Sequence, residues 1–357
     1  MSATEAALPP PRRARRRILA AALAVAVLLV AGDALLWRWA EGQLEKTFAD
    51  WASARRAQGW TVTAAPPRHA GWPLAAELVL TGLTVTATHP DLPGGIDWTA
   101  DRLTLRATLR HPRTLDIAVG GAQHLRLGTL ADLPFTADRF EAAIPLQPGV
   151  PAHLGDLEVA QLRAGIGNTG LTLAQLRLHG DLKPAALQGE PVLTLSAELT
   201  DLVLPAGPWA LGPRIGSAAL ELNLTGPLPR AETLESRATG WRDGGGTLEL
   251  RRIAFNWGPL NLAGSATLAL DEHMQPMGAA TARLTGYAET LDALTVAHLI
   301  GARAATAAKA VLGLMAHAPP NGGAPEVEVP LTLQDGALSV GRIPLARMPE
   351  LSWPEPP

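Results

Sequence analysis

From Thr61 onward, apolar side chains recur at every second position, and this period of two constrains the fold of the 357-residue chain more than any other feature. Leu83, Val85 and Ala87 alternate with Thr84, Thr86 and Thr88, and Leu103, Leu105, Ala107 and Leu109 alternate with Thr104, Arg106, Thr108 and Arg110. The pattern returns at Leu193, Leu195, Ala197 and Leu199, at Leu220, Leu222 and Leu224, at Leu268 with Leu270, and at Val327, Val329, Leu331 and Leu333. Successive side chains on a strand point to opposite faces, so each segment has one apolar face and one Thr/Arg/Glu face, as antiparallel strands do. Turn residues cluster at 90–95, 120–121, 165–170, 226–229 and 243–246. Their spacing predicts a mainly β fold, a long antiparallel meander of roughly 15–20 strands. Such a sheet can fold on itself as a sandwich, close as a barrel, or curl around an apolar groove; alternation is common to all three.

The N-terminal part reads differently. Residues 1–17 carry Arg12, Arg13, Arg15, Arg16 and Arg17 against Glu5, a sum of +4 that leaves −7 for the remainder of a chain whose net charge is −3. Residues 18–36 are apolar except for Gly32 and Asp33. About 19 residues in a helix span roughly 28 Å, close to a hydrocarbon core. Trp37 and Trp39 follow with Arg38 between them, where an interfacial aromatic belt belongs, and the arginine cluster orients the N-terminus inward. The small residues Val30, Ala31 and Gly32 would also suit a signal peptidase, but the apolar run continues past them and favours an uncleaved anchor. Asp33 falls one turn from the end of the run, within reach of the interface.

These features divide the chain into a cytoplasmic basic tail (1–17), a transmembrane signal-anchor helix (18–37), a juxtamembrane amphipathic helix (38–60), a β-rich periplasmic domain (61–350) and a Pro-rich tail (351–357). The expected site is the bacterial inner membrane, crossed once. Within 40–58, Leu44, Phe48 and Trp51 form one apolar stripe of a second helix that Gly59 would cap, packed either on the end of the domain or on the leaflet. A helical insert is expected at 289–316, hinged at Gly301. Leu291, Leu294 and His298 fall on one side of its first piece, and Val311, Leu314 and Met315 add apolar surface to the second. Strands 326–333 and 337–343 should form a hairpin through Asp335-Gly336, with 353–357 frayed.

Little in the sequence carries chemistry. With no cysteine, a disulfide scaffold, a zinc-thiolate site and a cysteine nucleophile are excluded. The acidic body has no basic field for nucleic acid, and ten of the fifteen aromatics are Trp, so stacking platforms for single strands are not expected either. Gly165-Ile166-Gly167-Asn168-Thr169-Gly170 matches G-x-G-x-x-G, but a dinucleotide site needs a helix to begin there, and Leu171, Leu173, Leu176 and Leu178 continue as strand. The nine histidines are scattered and form no H-E-x-x-H. Ser217, Ser236 and Ser265 lack a nucleophile-elbow context. No catalytic residue, cofactor or metal ligand is assigned, and the chain reads as a non-enzyme.

Four stretches carry a resemblance. They are the anchor with its following helix ending Arg55-Arg56-Ala57-Gln58-Gly59-Trp60; Gly71-Trp72-Pro73 leading into a strand; 246–264 with 271–287; and Asp335-Gly336-Ala337-Leu338 with Gly341-Arg342-Ile343-Pro344-Leu345 and Pro349. Together they resemble the bacterial "domain of unknown function 2125" family of envelope proteins over most of the chain. The third and fourth are also similar to the β-rich segments of AsmA-like envelope proteins. That likeness implies a long curled sheet with an apolar interior, held by one inner-membrane helix and engaged in lipid traffic. The expected function is therefore binding or transfer of lipid in the cell envelope, with membrane lipid as partner. The alternatives are an envelope scaffold with protein partners and, third, an envelope hydrolase. The lipid-contacting residues are not assigned from sequence.

Overall fold

A computed structural model describes residues 12–89, 92–108, 110–128, 130, 132–146, 155–165, 170–183, 190–229, 233–318, 324–341 and 343–353. Helix α1 (Arg12–Ala57) is followed by three short strands-to-sheet entries, β1 (Thr61–Thr63), β2 (Arg68–Ala70) and the long β3 (Ala75–His89). Then come β4 (Leu92–Thr108), β5 (His111–Leu127), β6 (Leu133–Thr136), β7 (Arg139–Pro145), β8 (Asp156–Ala164), β9 (Leu171–Leu182), β10 (Pro191–Val203) and β11 (Arg214–Thr225). Helix α2 (Leu234–Asp243) separates these from β12 (Thr247–Trp257), β13 (Leu260–Leu270) and β14 (Pro276–Thr285). Helices α3 (Tyr287–Val296) and α4 (Ala302–Met315) precede β15 (Val327–Gln334), β16 (Ala337–Val340) and β17 (Ile343–Arg347).

The 17 strands form one sheet among the described residues. From β3 to β5 and from β8 to β17, each strand pairs antiparallel with the next. β6 and β7 lie end to end between β5 and β8, and β1 and β2 share the outer edge of β3. The alternation read from sequence thus produces the expected meander. At its far end Asp335 and Gly336, at φ 51° and 69°, join β15 to β16 as a two-residue hairpin.

A line of irregularities crosses the sheet. On β3 the inward set passes from Leu78 and Leu80 to Leu83 and Val85, and on β4 from Leu105 and Leu103 to Ala100, so the parity changes at Gly82 and Asp101. On β5 an extra residue at Gly121 absorbs the shift, with φ 83° and the Ala122 amide donating to Asp101 Oδ2 at 2.7 Å. Gln161 on β8 and Asp201 on β10 continue the line, each at φ 52°. A left-handed residue inside a strand bends it and reverses the pleat, which keeps the apolar residues on one side while the sheet turns. The residues at 120–121, expected as a turn, are this bulge inside β5.

The buried core is uneven. Its main cluster draws only on residues 44–119: Leu44 and Ala52 of α1 pack against Val62, Leu78, Leu80, Leu83, Leu103, Leu105 and Leu115. Beyond β7, buried apolar residues are few, among them Val159, Val192, Val327 and Val329, while Leu157, Leu176, Leu195, Leu220 and Leu250 are half-buried. The outer face is tied by cross-strand pairs such as Arg106–Glu77 at 3.3 Å, Arg126–Asp97 at 3.1 Å and Arg283–Glu328 at 3.0 Å.

Several expectations need correction. The apolar segment and the helix at 40–58 are one unbroken helix, since no proline interrupts 12–57 and two isolated glycines, Gly32 and Gly42, are tolerated. Its buried stripe runs Leu44, Phe48, Ala52; Trp51 is exposed and stacks on Phe48 with centroids 5.9 Å apart. Gly59 does end it: at φ 83° it lets Trp60 N–H reach Arg55 O and its own N–H reach Arg56 O, both 3.0 Å. Helix α2 was not foreseen in this polar, Gly-containing stretch. Thr233 caps it, and Trp241 fastens it by donating to Thr225 O at 2.7 Å. His298 lies beyond the end of α3 in a left-handed turn, and Gly301 caps α4. The last strand divides at Gly341 into β16 and β17. Trp353 is fastened, its indole donating to Met274 O at 3.1 Å; residues 354–357 lie outside the described set.

Candidate functional site

Residues 20–32 of α1 touch nothing: every one is exposed, and the first half-buried positions are Asp33 and Ala34. This stretch, within a helix long and apolar enough to cross a membrane, stands clear of the sheet. From Asp33 the helix leans on the sheet: Trp37 Nε1 donates to Ala75 O at the start of β3, at 3.0 Å, and Arg56 donates to Val62 O of β1 at 2.7 Å.

Beside the first of these attachments the helix and sheet do not meet fully. A cleft of about 740 Å³ opens there, lined mostly by apolar side chains. Leu36, Ala40 and Leu44 form its helix wall, and Ala76, Ala107 and Leu115 form its sheet wall. Small-molecule sites run from about 300 to 1,000 Å³ and are mostly apolar with a few placed polar groups. Here the charged lining consists of Asp33 and Arg113. Among the described residues neither side chain has a hydrogen-bond or ion-pair partner.

The mouth is apolar and faces outward. Trp39, 63% exposed, stands on α1 beside it, and Pro73 closes one side. Pro73 belongs to the turn joining β2 to β3, in which Gly71 at φ 95° lets its carbonyl accept from Leu74 and Ala75 N–H. That turn holds Trp72 and Leu74 out at 52% and 78% exposure. Of the two tryptophans expected at the interface, Trp39 is free to occupy it, whereas Trp37 is engaged by the sheet. The sequence reading used Trp72 only as part of the Gly71-Trp72-Pro73 likeness and did not single out Leu74 or the cleft. An apolar Trp-Pro-Leu at a turn is the signal that would have pointed there. Arg12, Arg13, Arg15, Arg16 and Arg17 all fall on the first turns of α1.

The remaining hollows are of other kinds. On the polar face, one of about 390 Å³ collects Glu77, Asp116, Glu141, Asp156 and Glu158 with Arg106, and four of these carboxylates are already paired: Glu77 with Arg106, Asp156 with His179, and both Glu141 and Glu158 with Arg139. His69 lies between two carboxylates, Glu41 at 3.2 Å and Glu45 at 3.5 Å, and His124 pairs with Asp132 at 2.9 Å. No group of three potential metal ligands occurs among the described residues. The G-x-G-x-x-G stretch links antiparallel β8 and β9; its residues 166–169 lie outside the described set, and β9 starts at Leu171, leaving no room for a phosphate-binding helix.

At the strand ends opposite to α1, between β14 and β15, α3 and α4 form a hairpin whose Val296, Leu299, Val311 and Leu314 are exposed, Leu314 at 89%.

Residues 37–349 match the model of a family described as an uncharacterized protein conserved in bacteria, DUF2125. The chain belongs to this family. The DUF2125 match begins at Trp37, where α1 first bonds to the sheet, and ends just after β17, so the family unit includes the outer part of α1 along with the sheet. No curated protein and no solved structure matches the chain. The AsmA-like likeness rests on the quoted sequence stretches alone.

Proposed function

We propose that this DUF2125 protein is a single-pass inner-membrane protein, N-terminus in the cytoplasm and sheet in the periplasm, that takes an acyl lipid from the adjoining leaflet into the cleft beside α1. The observation that carries this reading is the position of the cleft. It is apolar, large enough for a lipid segment, and opens where the free apolar part of α1 meets the sheet, flanked by outward Trp39, Trp72 and Leu74. Aromatic side chains at such a level suit the headgroup zone of a bilayer. The half-buried apolar face beyond β7 supplies a continuation along which a chain could lie, and the AsmA-like stretches agree with this use. The five arginines from Arg12 to Arg17 support the orientation.

The test is lipid analysis of the full-length chain, extracted from membranes and stripped of loose lipid, beside Ala76→Trp, which fills the cleft. Wild type is expected to retain about one acyl lipid per chain, as a single site of this size allows, and Ala76→Trp to lose most of it while keeping its fold by circular dichroism. Equal retention by both would remove the cleft as the site. A scaffold role has its own support in the exposed apolar side of α3 and α4. Photocrosslinking from Leu314 in cells would capture a protein neighbour under that reading.

A further inference from the structure

An acyl chain that moves from a bilayer into an apolar cleft leaves one hydrocarbon surrounding for another. The hydrophobic term, about 0.8 kcal/mol per methylene when the reference is water, nearly cancels. Discrimination between lipids therefore falls on the polar end of the molecule and on the groups that meet it. Resting on the reading above, we infer that the cleft selects a zwitterionic glycerophospholipid of the phosphatidylethanolamine type, with Arg113 receiving the phosphate and Asp33 the ammonium group.

Three observations lead there. Arg113 and Asp33 supply the cleft's two opposite charges, one from the start of β5 and one from α1. Neither has a partner among the described residues, whereas Arg106, Arg126, Arg163 and Arg283 of the sheet are paired with carboxylates. Asp33 stands where the free stretch of α1 ends, the first residue of the helix that is half-buried, and Arg113 lines the same cleft from the sheet side. An unpaired guanidinium fits a phosphate through a planar fork of donors. A carboxylate in the same lining repels a second negative charge and favours a cationic amine. A lipid with phosphate alone would satisfy Arg113 and leave Asp33 opposed; a neutral diacylglycerol would satisfy neither.

The full-length chain reconstituted in bilayers of equal phosphatidylethanolamine and phosphatidylglycerol content tests this, with retained lipids quantified by native mass spectrometry. Wild type is expected to enrich phosphatidylethanolamine about five-fold, equivalent to about 1 kcal/mol of charge pairing. Asp33→Asn should bring that ratio close to unity. Arg113→Ala should lower retention of both phospholipids relative to added diacylglycerol, and Arg113→Lys should restore part of it. A ratio unchanged by Asp33→Asn, together with retention unchanged by Arg113→Ala, would overturn the headgroup assignment. Ala76→Trp separates the two levels: if it removes lipid while the charge variants alter nothing, the cleft binds lipid without this selection; if it removes none, the underlying reading fails as well.

Discussion

Leu80→Ala is expected to lower the free energy of unfolding by about 2–5 kcal/mol, the range for large-to-small changes in a packed core. Leu80 is fully buried on β3, pairs with Leu103 on β4, and shares its cluster with Leu44 and Ala52 of α1 and Val62 of β1. Its removal leaves a void walled by a helix and two central strands. Each wall is held by its own hydrogen bonds, so the site cannot collapse freely. Urea titration in detergent, followed by fluorescence of the ten tryptophans, would report the loss. Leu314→Ala is the control: that side chain stands in the open on α4, and its truncation should change stability by less than about 0.5 kcal/mol. Equal effects from the two would mean that the cluster around Leu80 is not the core.

Removal of residues 1–60 is expected to destroy cooperative folding of the N-terminal half of the sheet. The alternation begins at Thr61, which marks that residue as the apparent boundary of the β-rich region. In the structure, α1 supplies Leu44 and Ala52 to the main core cluster, caps β3 through Trp37 and binds β1 through Arg56. A chain starting at Thr61 would expose Val62, Leu78, Leu80 and Leu83 together, and an apolar patch of that kind favours aggregation. A chain starting at Asp33 retains every one of these contacts and should remain soluble with a single unfolding transition. The match of the family from residue 37 agrees with that boundary. A cooperative, monomeric product from 61–357 with the same midpoint as the longer chain would show that α1 is only a tether.

The cleft places a functional demand on the same contacts. Helix and sheet must be held firmly at Trp37 and Leu44 for the cleft beside them to persist, because an apolar gap without such supports would close. Stability and the proposed lipid site are thus properties of one junction.

Most of the architecture was legible in local patterns. The period of two announced the antiparallel strands, and Asp335-Gly336 announced the hairpin, since a two-residue turn needs positive φ at both positions. The apolar run announced a helix long and apolar enough to cross a membrane, because a window of about 20 residues suffices to cross hydrocarbon. Helix α2 escaped because its apolar positions, Leu234, Ala238 and Trp241, are too few in a ten-residue segment of mainly polar residues and one Gly to establish a period; it is fastened by Trp241 to Thr225, sixteen positions apart in sequence. The bulge line escaped for a related reason: Gly82, Asp101, Gly121, Gln161 and Asp201 are each ordinary in sequence, and their alignment exists only once the strands are registered.

Asp33 and Arg113 show the same division most sharply. Each is unremarkable where it stands in the chain, one a polar interruption near the end of an apolar run, the other the third residue of a strand. They share a cleft because α1 continues unbroken past the span and lies on β3, and because β3, β4 and β5 are paired in a particular register. Class, anchor and turn follow from interactions within a few residues or a few turns, which a sequence displays directly. The cleft depends on contacts between segments far apart in the chain, and these are set by the packing free energy of the whole junction.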